Sequence, residues 1–198
     1  MAVTNVLIAG VGGQGVILSS EILALAALAD GRDVKQGEFH GVAQRGGAVF
    51  SHVRFGDQVH SPMVPRGQVD FLLALERLEA LRYAHFVKPG GTVIVNDHKV
   101  EPARMADIRP YPDEGIDFLG QKGFNVVVVP ATTKAIEIGN YRAANVILLG
   151  TLAAHLDIPQ VVWEETLQGR IPAELLDLNQ KAFAAGQGLS PNLIDSAH

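Results

Sequence analysis

Cysteine is absent from all 198 residues. Disulfides, cysteine-ligated zinc and any iron–sulfur cluster held by this chain's own thiolates are therefore excluded. An excess of positive charge is missing too. Lys and Arg number 16 against 21 Asp and Glu, net −5 with the signs interspersed, which leaves no basic footprint for nucleic acid. The longest apolar run in a helical pattern, residues 22–29, is far shorter than a bilayer requires, so no membrane partner is expected. The chain enters a strand pattern at once, without the regions of a secretory leader, and a cytoplasmic location is the expectation. No G-x-S-x-G elbow, GxxxxGK[ST] loop or functional carboxylate pair occurs. His40, His52 and His60 lack metal-ligand spacing, and His52 and His60 read as strand-surface residues. No metal site is expected here.

What remains is a globular composition, 47% hydrophobic and 19% charged, in a chain of one-domain length. Strand and helix patterns alternate, which predicts an α/β fold. It is Rossmann-like and doubly wound, with a mostly parallel sheet, helices on both faces and a helical C-terminal part. Strands are expected over residues 3–9, 33–38, 48–55, 58–60, 70–74, 92–96 and 124–129. The strand over 48–55 reads as half exposed, and Lys88-Pro89-Gly90-Gly91 reads as a break before 92–96. Helices are expected over 15–29, 75–86, 113–121, 131–138, 142–156, 161–168 and 173–185. A single domain spans 1–186, and 187–198 is a flexible or partner-docked tail.

Two glycine-rich turns carry the chemistry. Gly10-Val11-Gly12-Gly13-Gln14-Gly15 follows the apolar run Val6-Leu7-Ile8-Ala9 and opens a helix. Bare N–H groups at the positive end of a helix dipole bind phosphates and other anions. Gly10, Gly12 and Gly15 satisfy G-x-G-x-x-G, and Glu38 stands near the offset of a ribose-binding acid. The second turn, Gln44-Arg45-Gly46-Gly47 after His40, sets an amide and a guanidinium fork beside backbone that a ligand can approach. Both turns are expected at the carboxyl ends of neighbouring parallel strands. Asp97-His98 also ends a strand, as a plain loop or a catalytic pair. Asn145 interrupts an apolar helix and needs a partner, either a loop or a ligand.

These segments, with Ser51-His52-Val53-Arg54-Phe55, Pro130-Ala131-Thr132 and Asn145 through Gly150, resemble the gamma-type module of the 2-oxoacid:ferredoxin oxidoreductases. Within that group they are most similar to the beta subunit of the indolepyruvate branch. Position 42 departs from the pattern, with Val in place of the more frequent Met.

The resemblance implies a non-redox small subunit of a thiamine-diphosphate-dependent complex. It would complete the coenzyme A side of an oxidative decarboxylation to acyl-CoA and be inactive alone. It also implies a large alpha subunit that carries the thiamine diphosphate and the iron–sulfur clusters, with ferredoxin taking the electrons. No cofactor is expected on this chain by itself. The implied binding residues are Gly10, Gly12, Gly13, Gln14, Gly15, His40, Gln44, Arg45, Gly46, Gly47 and Asn145. Two other readings compete: a stand-alone NAD(P)- or flavin-binding oxidoreductase that uses Glu38, and a non-catalytic docking subunit.

Overall fold

The computed structural model describes residues 2–40, 47–100, 111–112 and 115–190. One six-stranded sheet organises them. Its strands are β1 (Thr4–Val11), β2 (Asp33–His40), β3 (Ala48–Gly56), β4 (Val69–Ala74), β5 (Val87–Asn96) and β6 (Asn125–Val129), in the order β2-β3-β1-β4-β5-β6. β1, β4, β5 and β6 are parallel neighbours, and β3 runs antiparallel to both β1 and β2. The sheet is mostly parallel, as its apolar strands predicted.

Alternation along the strands builds two cores. Val6 and Ile8 face a cluster completed by α1 (Val16–Ala29), α4 (Ala131–Ile138), α5 (Ala144–Ala153), α6 (Gln160–Arg170) and α7 (Ala173–Gly188). Leu7 and Ala9 face a second cluster under α2 (Arg77–Tyr83) and α3 (Gly115–Gln121). No helix among the described residues is long and apolar enough to cross a membrane.

Four local expectations are corrected. Residues 58–60 form no strand, because Val59 donates its amide to Asp33 Oδ2 at 2.7 Å and the chain turns back across the sheet. That return covers β3, where Val64 N–H donates to His52 Nδ1 at 2.9 Å and Arg54 holds the carbonyls of Ser61 and Met63. His52 is consequently fully buried, and β3 is not half exposed. The Lys88-Pro89-Gly90-Gly91 stretch lies inside β5, where the register shifts against β4 and Gly90 takes φ +70. The helix expected over 142–156 divides into a 3-10 turn, Tyr141–Ala143, and α5. At the C-terminal end, α7 runs to Gly188, and Ser190 Oγ lies 3.0 Å from His155 Nε2. The rest of the expected tail, 191–198, is outside the described residues.

Candidate functional site

The chain reverses its direction of winding between β1 and β4. From β1 it passes through α1 on one face towards β2; from β4 it passes through α2 on the other face towards β5. Open α/β sheets bind ligands at such a point, beyond the carboxyl ends of the strands. A cavity of about 520 Å³ opens there. β1 contributes Gly13, Gln14 and Gly15; β4 leads into Leu75; β5 ends in Asn96 and His98; and Thr132, Arg142 and Asn145 close the far side.

The glycine turn has a defined internal geometry. Gln14 folds back so that its Oε1 accepts from Val11 N–H at 2.8 Å. Gly13 and Gly15 both take positive φ, +97 and +88, which side chains rarely adopt. Gly10 is close-packed instead, since a methyl there would stand 2.9 Å from Val16 Cγ2 and 3.0 Å from Leu75 Cβ. α1 then begins with no side-chain cap and no acidic residue in its first turn. Its first N–H groups, at the positive end of the dipole, meet no capping side chain among the described residues.

The second glycine segment reaches the first. Gly12 N–H donates to the carbonyl of Gly47 at 3.0 Å, and β3 starts opposite the end of β1, with Ala48 paired to Val11. The two turns share one edge of the sheet, yet they do not lie on neighbouring parallel strands as expected. β3 stands between β1 and β2 and pairs antiparallel with β2. His40 ends β2. Gln44, Arg45 and Gly46 lie outside the described residues. Of the expected binding residues, Gly13, Gln14, Gly15 and Asn145 line the cavity.

The same strand order removes the main support for a dinucleotide site. A ribose-binding acid has to sit on the strand beside β1, whereas Glu38 pairs with Ser51 and Ser51 with Ile8, two strands away. Glu38 Oε1 instead accepts from Gln36 Nε2 at 3.1 Å.

Among the lining groups, Asn96, Tyr141 and Arg142 escaped sequence reasoning, whereas His98 did not. Asn96 is buried, and its amide is used internally. Nδ2 donates to Leu75 O at 3.1 Å and Thr132 Oγ1 at 2.9 Å, and Oδ1 accepts from Thr132 N–H. It pins α4 to the end of β5 and has both amide hydrogens engaged there. Tyr141 and Arg142, from the 3-10 turn, are exposed at the mouth, with the guanidinium 5.8 Å from the Tyr141 ring centre. His98 lines the cavity, while Asp97 turns to Arg77 at 3.6 Å. A nearby carboxylate, Glu76, is buried and accepts from Tyr111 Oη at 2.8 Å. The wall therefore presents helix N–H groups, Arg142 and His98 over an apolar floor of Leu18, Leu75 and Leu148, which suits an anionic ligand with an apolar arm. Among the described residues, no group of three His, Cys, Asp or Glu is placed to hold a metal ion.

Comparison with known proteins bears on this site. Residues 5–188 match the family described as pyruvate ferredoxin/flavodoxin oxidoreductase. The indolepyruvate oxidoreductase subunit IorB of Pyrococcus horikoshii is 38% identical over 188 residues, covering 92% of this chain and 93% of that protein. Its counterpart from Archaeoglobus fulgidus is 40% identical over 187 residues, covering 92% of each. The gamma subunit of a keto/oxoacid ferredoxin oxidoreductase from Geobacter sulfurreducens superposes with a TM-score of 0.72 at 27% identity, covering 94% of this chain and 98% of that one. Similar to these subunits over nearly its whole length and carrying their fold, the chain belongs to the pyruvate ferredoxin/flavodoxin oxidoreductase family.

Proposed function

We propose that this chain is the small subunit of an indolepyruvate or related aryl-pyruvate ferredoxin oxidoreductase and forms the coenzyme A side of its active site. The observation that carries this reading is the cavity at the β1–β4 switch point, where the glycine turn and the start of α1 meet Arg142 and His98. Residues 1–186 act as one gamma-type domain. The chain's own groups bind and orient the acyl acceptor. The N–H groups at the start of α1 take an anionic group, Arg142 adds a cation at the mouth, and the exposed Tyr141 ring offers a flat apolar surface.

The nucleophile belongs to the thiamine diphosphate of a larger partner, which also carries the iron–sulfur clusters and delivers electrons to ferredoxin. Thiolate ligation is unavailable in a chain without cysteine. His40, Gln44, Arg45, Gly46 and Gly47 are assigned to the same anion, a reading supported by the bond from Gly12 N–H to Gly47 O that joins the second glycine segment to the first.

The test is co-expression with a large cysteine-rich partner, followed by an assay of dye reduction that depends on a 2-oxoacid and coenzyme A. A stable complex that oxidises aryl-pyruvates supports the reading. Dinucleotide binding or 2-oxoacid oxidation by the isolated chain overturns it.

A further inference from the structure

Asn145 sits in the first turn of α5, is 4% exposed, and reaches across to the glycine turn. Its Nδ2 lies 3.4 Å from Gly15 O and 3.3 Å from Ser19 Oγ. Those are long hydrogen bonds, and the contact is steric as much as polar. A methyl built on Gly15 would stand 2.5 Å from Asn145 Nδ2 and 2.9 Å from its Cγ, so the amide occupies the volume a side chain at residue 15 would need. Gly15 O also accepts the first intrahelical bond of α1, from Ser19 N–H at 3.0 Å. The residue that caps α1 is thus held from its own helix and from α5 together.

α5 is itself clamped. Gly150 and Gly186 bring α5 and α7 into backbone contact, since a side chain at either would overlap the carbonyl of Phe183 or of Ile147. Thr151 Oγ1 bridges the helices, 3.0 Å from Gly186 O. α5 therefore provides a fixed base.

We infer that Asn145 is a positioning residue: it sets where the positive end of α1 stands in the cavity, and it is not itself a contact for the bound anion. The inference rests on the coenzyme A reading of the cavity, and it has a readout that does not depend on that reading. In the full chain, Asn145→Ala should speed amide exchange at Ser19 about tenfold and leave the β1 amides of Val6 to Ile8 unchanged. Asn145→Leu keeps the volume and removes the donor, and it serves where the alanine variant fails to fold. In the reconstituted complex, Asn145→Ala should raise the KM for coenzyme A about tenfold with kcat within twofold. Gly15→Ala combined with Asn145→Ala should be less impaired than Gly15→Ala alone, because the clash is gone.

Unchanged Ser19 exchange in both variants, or strictly additive losses in the double variant, would overturn the positioning role. Faster Ser19 exchange with an unaltered coenzyme A KM would sustain the brace and overturn the acceptor reading of the cavity.

Discussion

Gly12 donates its amide to the carbonyl oxygen of Gly47 at 3.0 Å, and this bond joins the two glycine segments through backbone alone. Side-chain changes elsewhere on the rim leave that junction in place. The ligand wall and its scaffold can accordingly be probed separately.

Among the proposed anion-binding residues, Arg45 is the one to change first. If its guanidinium grips an anionic group, Arg45→Lys is already harmful, because an ammonium cannot reproduce the two parallel bonds of the fork. Loss of one charge-assisted hydrogen bond, roughly 1.5–3 kcal/mol, corresponds to about a ten- to hundredfold rise in the coenzyme A requirement or fall in turnover for Arg45→Ala. Steady-state kinetics beside size-exclusion of the complex checks this. Loosened assembly would make Arg45 an interface brace, and unchanged kinetics would make it a solvated turn residue.

On the scaffold, Gly10 is crowded by Val16 and Leu75 where the winding reverses. Gly10→Val should lower stability by about 1–3 kcal/mol, as overpacking does. Urea denaturation of the chain measures it. An unaltered midpoint would show that β1 and β4 can part at the switch point without cost.

The α5–α7 crossing allows a sharper forecast. Gly186→Ala forces a methyl against the Ile147 carbonyl, backbone that cannot swing aside. A loss of about 3 kcal/mol is expected. Gly188→Ala, with nothing within 4 Å, is the matched control and should be near neutral. Equal melting temperatures for the two variants would refute the tight crossing.

His52 gives the fold a pH dependence. Burial first, then the charge of Arg54, pushes its pKa down from 6.5 to about 4. The unfolded chain thus binds a proton that the folded chain refuses between those values. Stability is fully present above about pH 6.5 and falls as the pH drops towards 4, by ~3 kcal/mol in all. Burial lowers the His155 pKa too and adds in the same sense. His52→Gln, whose amide oxygen can accept from Val64, should flatten the slope of unfolding free energy between pH 7 and 4.5. An identical slope in the variant would assign the effect to other groups.

Much of this was legible in the sequence because the signals were local. The apolar runs at 92–96 and 124–129, the glycines that open α1 and the lone amide of Asn145 each announce themselves within a few residues. Strand order does not. Only the pairing of Ala48 with Val11 shows that β3 separates β2 from β1, and that pairing reverses the argument from Glu38. Pro89 and Gly90 read as a break, yet β4 accommodates them by a register shift, a tertiary solution without a local trace. Tyr141 and Arg142 sit in a 3-10 turn too short for any periodicity, so their place at the cavity mouth was invisible. His52 looked like a surface residue because the segment that buries it, with Val64 on its Nδ1, forms no strand and so leaves no pattern to read.

The single reversed strand has a consequence for how such a site can be altered. β2 and β3 are registered over eight successive pairs, from Asp33 with Gly56 to His40 with Val49, so the chain is anchored on both sides whatever lies between. The entropy of closing a span grows only slowly with its length, by about 0.6 kcal/mol per doubling for a flexible chain. The residues between the two anchors can therefore be exchanged as a block, while the parallel half of the sheet, with the cavity floor, is left as it was.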